Sequence, residues 1–168
     1  AGFNTADLGA MNDSSKAIMT LMMLIGGSPG STAGGMKTTT IAVLILNAFA
    51  TFGREPETEV FGRRFDNTVV KNAATIAILY FFLFFAGGIA ISQIEHIALS
   101  DCLFETASAV GTAGLTLGIT TELGLVSHLI LVVLMYLGRV GGLTLIYAAI
   151  SVKIQSGAKR PLDKITVG

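Results

Sequence analysis

Charge is what this sequence has least of. Acidic and basic residues make up 13% of its 168 positions, about half the share of an average soluble domain. The scarcity is uneven, because no charged side chain falls between Lys71 and Glu95 or between Glu122 and Arg139. The first gap runs from Asn72 to Ile94. As a helix it reaches about 35 Å, enough to cross a hydrocarbon core of about 30 Å. Its place in the chain and its length rule out a signal peptide. Cysteine is reduced to Cys102, so no internal disulfide can form and the residue reads as a small packing group. Metal-ligand spacings and a nucleophile with its base are missing, so no enzyme is implied. Eleven basic residues balance eleven acidic ones, which gives no bias toward nucleic acid or another anionic partner.

The placement of those few charges says more. Lys and Arg are absent from Asn72 to Gly138, an interval that contains Glu95, Asp101, Glu105 and Glu122. Eight of the eleven basic residues lie in Arg54 to Lys71 and Lys153 to Lys164. Short basic flanks are retained on the cytoplasmic side. Both basic segments and the carboxyl terminus are therefore expected inside, with the acidic segment from Glu95 to Glu122 outside.

Along the chain, Asp13 or Ser14 suits the cap of a helix running through AIMTLMMLIG to about Gly26. GGSPGSTAGGMKT interrupts it before a second apolar stretch from Thr38 to Phe52, the pattern of one broken transmembrane helix. A polar connection leads to a spanning helix over residues 68–94. In LSDCLFETASAVG, Ser100 or Asp101 can cap a helix that Gly111 ends after about ten residues, roughly 15 Å. That is too short to span, and a re-entrant element at membrane depth needs protein or a water-filled cavity around it. GTAGLTLGITTEL follows, then a long helix from Gly124 to Val152 and a basic tail. The fold expected is all-α and integral to the membrane.

Shifting the chain on itself until Ala1-Gly2 lies on Ala113-Gly114 also lays Phe3 on Leu115, Ser15 on Ser127, Met23 on Met135 and Gly26 on Gly138. The same order of loop, polar stretch and apolar helix is matched throughout, which is the mark of an internal repeat. The end of one unit and all of the next are thus expected here, with earlier units ahead of Ala1 in the full protein.

Spanning helix, short helix, loop and spanning helix is the unit of potassium channels, and TAGLTLG at Thr112 to Gly118 looks like a degenerate form of their filter. Together with AGFNT at the start, GGSPGSTAGGMKTTT from Gly26 and GRVGGLTL from Gly138, the sequence resembles the Trk/Ktr/HKT superfamily of cation transporters over essentially its whole length. GRVGGLT and the terminal ITVG look more like the Ktr branch. The resemblance implies a potassium-channel-like fold of repeated helix, pore helix, filter loop and helix units, four to a polypeptide, of which these would be the end of the third and all of the fourth. It implies potassium uptake, with sodium as a second or coupled ion, and no covalent cofactor. It further implies a homodimer of pore subunits in the lipid of the plasma membrane, multi-pass, on a cytoplasmic ring of nucleotide-binding regulatory subunits, with no nucleic acid.

By the same likeness the filter loops are Ala1, Gly2, Phe3 and Asn4, and Thr112, Ala113, Gly114 and Leu115. Potassium would be held by their backbone carbonyls. Glycine at Gly2 and Gly114 fits, because ligand-facing backbone takes conformations that only glycine adopts cheaply. A short helix ending at the ion adds a favourable partial negative charge. Ordinary turn glycines are the plainer reading.

The gate implied by the resemblance is Gly26, Gly27, Ser28, Pro29, Gly30, Ser31, Thr32, Ala33, Gly34, Gly35 and Lys37, with Arg139. A phosphate-binding loop is excluded, since Met36 separates Gly35 from Lys37 and no strand precedes the loop. Unwound backbone at membrane depth must line water or protein, and this stretch can make a mobile polar constriction; a passive kink at Pro29 is the alternative. Arg139 lies near the middle of the helix from Gly124 to Val152 and opposite Gly27 in the repeat register. A cation there faces a cavity or a partner, so it is expected in the pore beside the loop, or paired with a carboxylate.

The units so drawn are 1–52, the end of the third repeat; 53–66, a cytoplasmic linker; 67–157, the fourth repeat; and 158–168, a cytoplasmic tail. A secondary transporter with discontinuous helices is the alternative function, although its halves are commonly inverted whereas this repeat is direct. The orientation is testable with Glu57→Cys, Glu122→Cys and Lys159→Cys, each in a Cys102→Ala background of the full-length protein. An impermeant thiol reagent added to intact cells should label position 122 and spare 57 and 159; labelling of 57 would reverse the topology.

Overall fold

The computed structural model describes residues 2–53, 59–60 and 63–141. Ala1, half of the expected linker, the expected helix beyond Gly141 and the tail at 158–168 lie outside the described residues. Helices dominate: α1 (Asp13–Ile25), α2 (Thr38–Phe52), α3 (Asn67–Glu95), α4 (Leu99–Gly111) and α5 (Leu125–Val140), with a 3-10 turn at Ile119–Glu122. Among the described residues the one departure from the all-α expectation is a two-residue antiparallel ladder, β1 (Glu59–Val60) with β2 (Arg63–Arg64), in the connection between α2 and α3.

The cap of α1 is Asn12, one residue ahead of Asp13. Its backbone is extended and its Oδ1 accepts a hydrogen bond from the Ser15 amide at 2.9 Å, so Asp13 falls in the first turn, where a carboxylate suits the helix dipole. Asp66 caps α3 by accepting from the Thr68 amide at 3.1 Å. Hydrogen bonds from Thr68 hold the Asp66 carboxyl below its ordinary range. Gly124 has no side chain with which to cap α5. Glu95, at the end of α3, does so instead: its Oε1 accepts from the Gly124 amide at 2.8 Å and from the Ser127 hydroxyl, tying the two long helices together at one end.

α3 is the one described helix both long and apolar enough to cross a membrane; its best eighteen-residue window has a mean hydropathy of 2.3. It buries Ala73, Ala77, Tyr80, Phe84, Gly87, Gly88 and Ile91, a stripe at helical spacing. Ile78, Phe81, Phe82, Phe85 and Ile89 are exposed on its other side, as are Leu125, Leu129, Val132, Val133 and Tyr136 on α5. Continuous apolar surface of this kind belongs against hydrocarbon or another protein rather than water.

α4 is the centre of the molecule. It packs against α1, α3 and α5, and every residue from Phe104 to Gly111 is buried. At 13 residues it is longer than expected, because it starts at Leu99 after Ala98 and leaves Ser100 and Asp101 inside its first turn. Its length of about 20 Å still falls short of a bilayer core. Glycine lets its neighbours come close. A Cβ on Gly111 would lie 2.2 Å from the Met23 carbonyl oxygen, and one on Gly138 would lie 2.0 Å from that of Val110.

α5 corrects one expectation. It ends at Val140, where Gly141 turns to φ 88, so Arg139 stands in the last turn of the helix and not at its middle. A positive φ closes a helix cheaply only at glycine.

These contacts separate two glycines of the packed helices. Gly138→Ala should lower stability in detergent by about 1–3 kcal/mol, since its methyl meets fixed backbone. Gly87→Ala should cost clearly less, because its methyl meets the Cδ1 end of the Leu134 side chain, which can rotate away. Thermal unfolding of the purified full-length variants measures both; equal losses would mean that α4 and α5 do not meet through Gly138.

Candidate functional site

The carboxyl end of α4 turns directly into the segment from Thr112 to Leu115. The Thr112 amide donates to the Ala109 carbonyl at 3.1 Å and the Ala113 amide to that of Ser108 at 2.9 Å. This paired closure puts the residue after the helix in the left-handed region, normally a glycine. Thr112 takes it at φ 51 and ψ 36, a costly conformation for a β-branched residue. Its hydroxyl supplies the compensation: Thr112 Oγ1 accepts a hydrogen bond at 2.8 Å from the amide of Gly34, which lies far back in the chain. There is no room for a side chain at Gly34, where a Cβ would fall 2.7 Å from Thr112 Oγ1 and 3.0 Å from the Gly138 carbonyl oxygen.

Just beyond Thr112, Gly114 has φ 80. It faces Gly2, which has φ 73, so closely that a Cβ on Gly2 would lie 2.2 Å from the Gly114 carbonyl oxygen. The two glycines are equivalent in the repeat register, and so are the starts of α1 and α5 at Asp13 and Leu125. Two loops therefore approach each other backbone to backbone, each ahead of a helix that begins at the equivalent place.

The glycine-rich loop closes on itself. The Met36 amide donates to Leu24 O at 3.2 Å, Lys37 to Ile25 O at 2.9 Å and Thr38 to Gly27 O at 3.1 Å, so α1 and α2 are joined at the loop's neck. Gly26 and Gly35, at φ 75 and 83, touch there, with backbone atoms where either Cβ would stand. Lys37 folds over the loop; its Nζ donates to the carbonyls of Ala33 and, at 3.4 Å, Ser31.

An open groove of about 1060 Å³ joins these parts. Thr112, Ala113, Gly114 and Leu115 line it, as do Gly26, Gly27, Thr32, Ala33 and Arg139. Arg139 forms no ion pair among the described residues. Of the other residues singled out in the sequence, Phe3, Asn4, Ser28, Pro29, Gly30 and Ser31 are exposed and do not line the groove, while Gly34 and Gly35 are buried at the loop's base. Ala1 lies outside the described residues.

Sequence reading missed two groups here. Met19, Met22, Met23 and Met135 line the groove between the filter-like segment and the glycine loop; the match of Met23 to Met135 in the repeat register was the available signal. Glu105 on α4 is 4% exposed. It accepts hydrogen bonds from Thr116 Oγ1 at 2.6 Å, the Leu117 amide at 2.9 Å and Thr120 Oγ1 at 2.8 Å. An acid inside a short apolar helix, followed by a threonine-rich loop, was its only mark.

Comparison with known proteins supplies the family. A family model described as TrkH, cation transport protein, matches residues 1–158. The chain is 33% identical to Ktr system potassium uptake protein B of Bacillus subtilis over its whole length, covering 38% of that protein. It is likewise 33% identical to potassium/sodium uptake protein NtpJ of Enterococcus hirae, covering 39% of it. To Ktr system potassium uptake protein D of Bacillus subtilis it is 30% identical over 99% of this chain and 37% of the relative. The chain thus spans under two fifths of the length of these curated relatives. On the family match across nearly all its residues, and on the relatives that cover it, the chain belongs to the TrkH family of cation transport proteins.

Proposed function

We propose that this chain forms part of the wall of a membrane pore for potassium uptake, with sodium as a second ion, as the names of its relatives suggest. The observation that carries the reading is the meeting of Gly2 and Gly114, both at positive φ, at the end of a buried short helix. Carbonyls in such a segment can replace the water of a monovalent cation. The matched starts of α1 and α5 and the matched glycines support a repeated pore unit, with 1–52 the end of the third and 67–157 the fourth of four. Residues 112–115, and 1–4 in the preceding unit, are the filter.

Below the filter the glycine loop and Arg139 share one groove. With no carboxylate partner among the described residues, the guanidinium puts a positive charge in the path of a cation, and the loop narrows the same layer. Together they are the barrier that opens to let the ion through. The plasma membrane holds the exposed apolar faces of α3 and α5, with the carboxyl terminus in the cytoplasm. A second copy of the pore subunit and a ring of nucleotide-binding regulatory subunits complete the assembly, as the Ktr resemblance implies.

Two experiments on the full-length protein test this. Gly114→Ser should weaken discrimination of potassium over sodium, read as stronger sodium inhibition of rubidium uptake at matched abundance. A glycine of an ordinary turn at this positive φ would instead lose about 1–2 kcal/mol of stability and keep the ion preference. A normally abundant variant that retains its preference removes Gly114 from the filter.

Deleting part of Gly27 to Gly34, or making Arg139→Ala, should raise isotope flux into vesicles by lowering the barrier. Unchanged or smaller flux with normal assembly would take the loop and Arg139 out of the gate.

A further inference from the structure

We propose that Glu105 is a positioning residue for ion selectivity, the bracket that fixes the outer end of the filter segment. This rests on reading residues 112–115 as the filter. Glu105 lies two helical turns before Thr112, and so on the same face of α4. After Gly114 the chain reverses and runs back beside that face. Glu105 catches it at three places: the Thr116 hydroxyl and Leu117 amide both donate to Oε1, and the Thr120 hydroxyl donates to Oε2. Thr116 Oγ1 accepts in turn from the Gly118 amide at 2.9 Å, which shapes the turn at Gly118, φ 97.

The inner end of the segment is held by α4's closing hydrogen bonds and by Gly34 on Thr112. Only Gly114 and Leu115 lie between the two anchors, since the Ala113 amide itself makes one of the closing bonds. Their carbonyl directions, which set the field an ion meets, are therefore determined by where the anchors stand. All three groups reaching Glu105 are donors, and two acceptor oxygens meet them without any rearrangement of the loop. A carboxylate has both, and a carboxamide has one.

The substitutions separate this role from simple packing. Glu105→Gln keeps the shape and one acceptor; the Thr120 hydroxyl, 2.8 Å from Thr116 Oγ1, can turn to accept from the new amide. Its ion preference should stay within about twofold of wild type, as expected for one exchanged neutral hydrogen bond. Glu105→Asp is one methylene too short to reach the loop, and Glu105→Leu offers no acceptor. Both should raise sodium inhibition of rubidium uptake about tenfold, the effect of buried donors left unmatched. Thr116→Val and Thr120→Val each remove one donor without touching α4, and should shift preference in the same direction.

The experiment is sodium competition against rubidium uptake by the full-length protein in vesicles, with abundance and thermal midpoint measured for each variant. A graded loss of preference, with Thr116→Val adding nothing further in the Glu105→Leu background, supports the bracket. Wild-type competition in normally abundant Glu105→Leu overturns it. Should Glu105→Leu fail to accumulate, Thr116→Val and Thr120→Val decide alone, and wild-type competition in both overturns the bracket. Gly114→Ser in the same assay keeps the two readings apart. If it alters preference while the Glu105 and threonine variants do not, the filter stands and the bracket falls; if it too leaves preference unchanged, the filter reading itself has failed.

Discussion

The carboxyl end of α4 is surrounded by backbone, and the rest of the structure depends on how closely that backbone can approach. Gly111 meets the Met23 carbonyl of α1, Gly138 of α5 meets the Val110 carbonyl, Gly34 meets Thr112, and Gly2 meets Gly114. At each contact an added Cβ would stand well inside van der Waals distance of its neighbour. Apolar burial alone holds helices in a membrane weakly, because lipid tails are as apolar as leucine. Close packing of small residues and hydrogen bonds between helices must supply the specificity. Tyr80, whose hydroxyl donates to the Gly138 carbonyl at 3.3 Å, and Glu95 at the start of α5 belong to the same scheme.

Thr112 joins the segment after α4 to the glycine-rich loop. It holds a left-handed conformation that costs a β-branched residue of order 1–3 kcal/mol, and its hydroxyl is engaged by the glycine loop. The first residue of the filter-like segment and the base of the loop are therefore in direct contact. A loop that moved away from α4 would remove a hydrogen bond from a residue already under strain. Glu105 stands at the opposite end of the same segment, where its hydrogen bonds go to Thr116, Leu117 and Thr120. One anchor thus depends on the state of the glycine loop and the other does not, so a disturbance from that loop enters the segment at its inner end.

Much of this was legible in the sequence because it follows from local rules. Missing charge between Lys71 and Glu95 marks α3; Gly26 and Lys37 bound the interruption between α1 and α2, and Thr38 to Phe52 emerged with its expected limits. The repeat register paired Gly2 with Gly114 before their shared conformation was visible. Caps were read less well, since several residues in a row could serve and only the fold selects among them. Asn12 displaced Asp13 because its extended backbone aims the side chain at the Ser15 amide. Arg139 was placed by assuming that an apolar run makes one helix; Gly141 ends that helix at once.

Tertiary structure alone decided the remaining features, for one physical reason. Composition and periodicity report on each residue's own element, whereas these features arise where separate elements meet. Nothing in the sequence shows that Gly34 lies on Thr112, that Lys37 folds onto its own loop, or that Glu95 caps a helix beginning far beyond its own. Glu105 is the clearest case. As one letter it is a carboxylate in a short helix within the acidic stretch of the chain. In the fold it is buried, and it meets three donors only because the chain reverses at Gly114 and returns along α4. The sequence by itself determined which segments are helices and that glycine interrupts them between Gly26 and Lys37; the packing of α4 decided which backbones touch and which side chains hold the loops in place.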